Sequence, residues 1–165
     1  MTRRVFILGA IGAGTALALL PQNAKIHIDV APFKVIQAVQ ETFFPKGLKA
    51  PSALEFGATN YLLSVSAHSS FLKSDFKFLM HGADLLINYE NDFLTMNPKQ
   101  RDEALRDFVN SSSKAENWAS LLLFYTLEAL LSDPIYGGNK NELGWKWLSH
   151  NTGQPQPKVT FAKAV

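Results

Sequence analysis

The residues best suited to specific recognition lie in one short stretch, between positions 133 and 147. Pro134 moves the residue before it away from helical geometry, and Gly137 and Gly138 let the backbone turn back or approach a neighbour closely. Tyrosine and tryptophan rings offer broad apolar faces with a polar group, a mixture enriched at protein interfaces. The residues of this candidate partner interface are Asp133, Pro134, Tyr136, Gly137, Gly138, Asn139, Gly144, Trp145 and Trp147.

Two interpretations of this stretch follow from its residue types. In the first, a well-formed loop closes one end of a helical bundle. In the second, a rigid loop docks a partner protein. Glycine-rich turns serve both purposes, so the residues alone leave both interpretations open.

The four histidines do not form a recognisable metal site. They are His27, His68, His81 and His150, and they lie far apart in the chain. Close His/Glu pairs, which place two metal ligands on one face of a helix, are missing. Because single histidines are commonly half-buried without a function, we predict no metal site in this chain.

Motifs for catalysis or cofactor binding are also missing from the sequence. The serines at 69–70 and 111–113 lack the flanking glycines of a nucleophile elbow. No Gly-x-Gly-x-x-Gly joins a strand to a helix. The acids Glu55, Asp84, Glu90 and Asp92 are better explained as solvated helix faces than as acid–base pairs. We therefore predict neither catalytic nor cofactor-binding residues.

Residues 1–24 have the order of an export leader. Arg3 and Arg4 precede a glycine-diluted apolar stretch that ends at Pro21, shorter than the ~20 residues needed to span a membrane. With Phe6, the arginines resemble the consensus of twin-arginine (Tat) signals, which direct folded proteins across the cytoplasmic membrane. We expect the Tat translocase as an export partner, cleavage after Ala24 and a periplasmic protein. The alternative is that the leader remains as an anchor.

Charge and cysteine content exclude several classes of protein. The 16 basic residues fall to 14 without the two leader arginines, which equals the 14 acidic residues. A mature chain without net charge has no basic field for nucleic acid, so we predict no nucleic-acid partner. With no cysteine, the chain has no disulfide and cannot attach a c-type haem or bind an iron–sulfur cluster through its own thiolates.

The apolar spacing after the leader is helical. We predict an all-α chain, in which residues 25–165 form a single domain. Its architecture is a small irregular bundle of about five helices, followed by a C-terminal loop segment rich in Gly, Pro and Trp that holds no helix of any length. The predicted helices begin near Pro32, Ser52, Lys73, Pro98 and Lys114, and end before Pro45, near Val65, near Phe93, before Ser111 and at Ser132.

The fifth predicted helix is apolar nearly all round. One side carries Trp118, Leu121, Leu122 and Tyr125, and much of the rest carries Leu123, Phe124, Leu127, Leu130 and Leu131. Such a helix must be covered on nearly all sides. We expect it to be the central helix of the bundle, and coverage by another chain remains the alternative.

Several blocks of the chain carry a family resemblance. They are Phe43-Phe44-Pro45, Pro51-Ser52-Ala53, Gln100-Arg101-Asp102 with Leu105, the block 133–139 with Gly144-Trp145-Lys146, and Gly153 with Pro155. In this order they resemble the gluconate 2-dehydrogenase subunit 3 family, the small subunits of periplasmic flavin-dependent sugar and alcohol dehydrogenases. After Trp147 the family commonly continues Gly-Phe-Pro-Gly, whereas residues 149–152 here are Ser-His-Asn-Thr.

The resemblance implies a complex of three subunits. The large subunit would be of the glucose–methanol–choline oxidoreductase type and carry FAD, and a cytochrome c subunit would carry haem. The present chain would be a non-catalytic accessory subunit that stabilises and co-exports the flavoprotein, on the periplasmic face of the cytoplasmic membrane. The alternative function is a stand-alone exported helical module that binds a small ligand, such as a sugar, through its Tyr- and Trp-rich loop.

Overall fold

A computed structural model describes residues 31–153 and residue 157 of the chain. Within these residues the chain forms seven α-helices, two 3-10 turns and no strand, which confirms the all-α prediction. The helices are α1 (Ala31–Phe43), α2 (Ala53–Phe56), α3 (Ala58–Ser66), α4 (Lys73–Tyr89), α5 (Pro98–Asn110), α6 (Ser113–Leu131) and α7 (Leu143–Trp147). The predicted leader, with Arg3, Arg4 and Phe6, lies outside the described residues.

Helix α6 is the central element, as expected. It contacts each of the other six described helices. Trp118, Leu122 and Leu130 lie on its inner side and are almost fully buried. They pack in one core with Ile36 of α1 and Leu79 of α4, so the longest apolar helix of the chain organises the packing of the rest.

A buried polar network ties three of these helices together. The side-chain amide of Gln40 on α1 donates to the hydroxyl of Thr126 on α6 (3.3 Å) and accepts from the hydroxyl of Thr59 on α3 (2.7 Å). Thr126 in turn donates to the carbonyl oxygen of Leu122 (2.6 Å). Because Gln40 and Thr126 are fully buried, these bonds satisfy groups that would otherwise be expensive to remove from water.

Two helix starts follow their sequence signals. The carboxylate of Glu55 accepts from the N–H and the hydroxyl of Ser52 (2.8 and 2.7 Å), which completes a capping box before α2. These bonds lower the pKa of Glu55. The side-chain oxygen of Asn97 accepts from the backbone N–H groups of Lys99 and Gln100 and so caps α5. Pro98 occupies the first helical position.

The described residues form two more helices than predicted, and one of the two arises because a predicted helix is divided. Gly57 adopts the left-handed conformation (φ 80°, ψ 40°) and separates α2 from α3 within the segment expected to be continuous from Ser52 to Val65. A helix cannot pass through a left-handed residue, and glycine adopts this conformation with little strain.

The segment after Asp133 is more regular than predicted. It contains 3-10 turns at Pro134–Tyr136 and Lys140–Glu142 and the five-residue helix α7. The prediction that no helix occurs there is therefore wrong. Pro134 and the glycines do interrupt long helices, but a short helix can form between them because its stability comes from packing against α6 rather than from its length.

Replacement of Gly82 by Ala is expected to destabilise the fold by about 1–3 kcal/mol. A Cβ at this position of α4 would overlap the indole ring of Trp118, which is held by a bond from its Nε1–H to the carbonyl oxygen of Leu79 (2.9 Å). Urea unfolding measures the loss. In a Trp118→Ala background the same change should be neutral or stabilising, because alanine is the better helix former by about 1 kcal/mol. An equal loss in both backgrounds would contradict the steric explanation.

Candidate partner-binding surface

The turn after α6 begins at Asp133. Its carboxylate accepts from the N–H of Ile135 (3.0 Å) and so caps the first 3-10 turn. Pro134 occupies the first position of that turn, where a missing N–H has no consequence. The chain then reverses at Gly137 (φ 92°) and returns toward the end of α6.

Asn139 is the hydrogen-bonding centre of the returning chain. It is fully buried and adopts a left-handed conformation with φ 44°. Its N–H donates to the carbonyl oxygen of Ala129 (2.6 Å), and its Nδ2 donates to that of Ser132 (2.9 Å). Its Oδ1 accepts from the N–H of Gly144 (2.8 Å). One side chain therefore joins the end of α6 to the start of α7.

The glycines at 138 and 144 are required by close approach of two backbones. A Cβ at Gly144 would overlap the carbonyl oxygen of Leu130, and one at Gly138 would lie 2.5 Å from that of Ala129. Trp145, which is 8% exposed, donates its Nε1–H to the carbonyl oxygen of Leu131 (2.7 Å). The last carbonyl oxygens of a helix have no hydrogen-bond donors within that helix. Here Asn139 and Trp145 donate to the carbonyl oxygens of Ala129, Leu131 and Ser132.

The predicted interface residues thus fall into two groups. Gly138, Asn139, Gly144 and Trp145 are buried, and they hold the end of α6. The others present surface to solvent, from half-buried Asp133, Pro134 and Tyr136 to exposed Gly137 and Trp147. Trp147 is 43% exposed, and the adjacent Leu148 is 52% exposed.

Helix α6 carries an uncovered apolar strip along its C-terminal half. Leu123, Phe124, Leu127 and Leu131 are 36–53% exposed, and we call them the α6 strip. Their spacing places them on one face of the helix. On the same face of the N-terminal half, the exposed residues are Glu116, Asn117 and Ser120. The change from polar to apolar along one face limits the candidate surface to the second half of α6.

A groove of about 470 Å³ adjoins the strip between α1, α5 and α6. Leu123 lines it together with Phe43, Leu105 and Val109. At its rim Arg106 donates to the carboxylate of Asp102 (2.9 Å). Apolar surface rimmed by charged groups is typical of sites that bind other proteins.

The other residues considered for chemistry do not come together. Asp84, Asp92, His81 and His150 are exposed, and Glu55 is occupied in its capping box. Among the described residues no group of three or more His, Cys, Asp or Glu side chains could hold a metal ion. His27 lies outside the described residues.

None of the described helices is long and apolar enough to cross a membrane. This includes α6, whose 19 residues begin with a polar first turn.

The described residues form an all-α protein with a central helix, one apolar face of which is partly open and whose end is held by a hydrogen-bonded turn. The chain belongs to the gluconate 2-dehydrogenase subunit 3 family, whose family model matches residues 31–153. Membership makes it an accessory subunit of an oxidoreductase complex. Neither a curated protein nor a solved structure matches the chain significantly.

Proposed function

We propose that this chain is the small accessory subunit of a periplasmic FAD-dependent dehydrogenase that oxidises gluconate, another sugar or an alcohol. Its partners are a large flavoprotein subunit of the glucose–methanol–choline type and a cytochrome c subunit that carries haem. The accessory subunit stabilises the flavoprotein and is exported with it. The observation that carries this proposal is the α6 strip, an apolar surface on a member of a family of dehydrogenase subunits.

The contact surface of the proposed complex is the α6 strip, continued by the exposed part of the 133–147 segment. Trp147 and Leu148 are exposed, and α7 packs against the end of α6, so in the proposed complex they would add apolar area beside the strip. The buried residues of the segment support this surface without forming part of it. Asn139 and Trp145 hold the last carbonyls of α6, so the strip is presented on a helix end that does not fray.

The leader fits a role in transport of the partner. Arg3, Arg4 and Phe6 form the proposed signal for the Tat translocase, a route for proteins that fold before they cross. The present chain has no cysteine and no cofactor motif that would require folding in the cytoplasm. The signal is then best explained by the flavoprotein, which must receive FAD before export. The mature complex would lie on the periplasmic face of the cytoplasmic membrane.

Co-expression tests both halves of the proposal. The large subunit is produced alone, with the wild-type chain, and with an Arg3→Lys, Arg4→Lys variant of the chain. Alone, it should be largely insoluble and deficient in FAD. With the wild-type chain it should be soluble, FAD-loaded and periplasmic. With the variant it should be soluble and FAD-loaded but retained in the cytoplasm, because the variant leaves residues 31–153 unchanged.

Two outcomes would contradict these roles separately. Equal amounts of soluble, FAD-loaded large subunit with and without the chain would refute stabilisation. Periplasmic flavoprotein in the presence of the double arginine variant would refute co-export and leave stabilisation intact. A chain with Leu48→Asp, changed at an exposed loop residue outside the strip, is the matched control for expression level.

A further inference from the structure

A separate pocket lies between α4, the end of α5 and the start of α6, at the other end of α6 from the 133–147 segment. Its volume is about 300 Å³, near the lower limit for sites that hold small molecules, and it is open to solvent on one side. None of the described residues that line it belongs to the α6 strip. Most of them offer only apolar surface: Phe78, Gly82, Leu85, Phe108, Ala115 and Trp118.

The pocket has accessible walls and a buried floor. Phe78 and Leu85 are half-buried and Tyr89 is 52% exposed, so these side chains can contact a bound molecule. The floor is formed by Phe108 and Trp118, which are 5% and 1% exposed. The ring of Phe108 meets those of Tyr89 and Trp118 edge to face, with centroid distances of 5.5 and 5.7 Å. The shape of the pocket is therefore set by packed aromatic rings.

The rim of the pocket carries hydrogen-bond donors and a single charge. Its polar residues are Asn88, Tyr89, Ser112 and Lys114, and all four are exposed. Lys114 is the only charged residue among the described residues that line the pocket. Glu116, two positions further along α6, lines the groove on the other side of that helix. The field at the rim is therefore positive and suits an anion.

Lys114 retains protons for a bound molecule. Its ammonium group donates to Nε2 of His81 (3.2 Å). An ammonium group has three protons, so two remain for other acceptors. The ion pairs formed among the described residues do not include Lys114. A lysine without an acidic partner beside apolar surface fits a ligand that joins an anionic group to an apolar body.

We propose that this pocket binds a small carboxylic acid with an aromatic body. The ring would rest against Phe78, Leu85 and Tyr89, and the carboxylate would accept from the ammonium group of Lys114. An aromatic ring can extend the edge-to-face packing of the pocket. A polyol or an inorganic anion is disfavoured, because the apolar lining gives its remaining polar groups no partners. The proposal does not depend on the dehydrogenase partner proposed above.

Titration of the full chain with phenylacetate and with phenylacetamide, followed by NMR, tests the proposal. The two probes have nearly the same shape, and only phenylacetate is charged at neutral pH. Phenylacetate should shift signals of residues 78–89 and 112–118 with a Kd of about 1 mM, and phenylacetamide should bind about three- to fivefold more weakly. The absence of these shifts with phenylacetate, or equal or tighter binding of phenylacetamide, would overturn the proposal.

Lys114→Gln separates the charge from the apolar contacts. The variant removes the ammonium group and keeps the aromatic walls, so it should bind both probes with equal affinity. Lys77→Gln is the matched control, because Lys77 is an exposed lysine of α4 that does not line the pocket. It should keep the preference for phenylacetate. A preference that persists in Lys114→Gln, or that Lys77→Gln abolishes equally, would also overturn the assignment.

Discussion

Replacement of Asn139 by Ala is expected to destabilise the chain by about 3–5 kcal/mol, a large part of a typical domain stability of about 5–15 kcal/mol. The change leaves two buried backbone groups without partners, the carbonyl of Ser132 and the N–H of Gly144. Each such group costs about 1–3 kcal/mol. Alanine also tolerates the left-handed conformation of this position poorly.

Asn141→Ala is the matched control for this loss. Asn141 has the same handedness (φ 56°) but is exposed, so its replacement should cost only the conformational part, about 1 kcal/mol. Denaturant unfolding compares the two variants, and hydrogen exchange at the N–H of Gly144 should accelerate only in Asn139→Ala. Similar losses in both variants would show that the buried bonds of Asn139 contribute little.

Replacement of Leu127 by Asp is expected to weaken association with the large subunit about 30-fold or more. Leu127 lies within the α6 strip and is 40% exposed. In the proposed complex a carboxylate there would be removed from water without a partner, which is strongly unfavourable. The isolated chain should lose no more than about 1–2 kcal/mol of stability, because the side chain is partly exposed and aspartate is a poorer helix former than leucine.

Leu48→Asp serves as the control for this experiment. It introduces the same charge at a leucine that is 62% exposed, in the loop after α1 and outside the strip. Affinity is measured between the purified large subunit and each variant. A comparable loss from Leu48→Asp would show that added charge, not the strip, weakens binding. Full affinity with Leu127→Asp would remove the strip from the interface.

The 133–147 segment shows why the sequence could not separate residues that hold the fold from residues that stay exposed. The residue types predicted a turn with specific contacts, and both a structural loop and a docking loop were consistent with them. The structure places Asn139 and Trp145 inside, bonded to α6, and leaves Trp147 at the surface. Burial depends on where the chain returns, and residue type does not encode that.

The buried tyrosine–carboxylate pairs could not be predicted from the sequence for a different reason. Tyr61 and Glu128 are 67 residues apart, and Tyr125 and Asp75 are 50 apart. Local residue spacing does not predict such pairs, because the two residues of each pair meet only when α3 and the start of α4 pack against α6.

What the sequence by itself determined is local. The periodicity of apolar residues and the caps at Ser52 and Asn97 specify most helices, because a helix depends on neighbours three and four residues apart. The tertiary structure alone decided which face of α6 stays open, and that Asn139 is a buried anchor. These properties follow from contacts between distant segments, whose free energies exceed the local preferences that sequence patterns record.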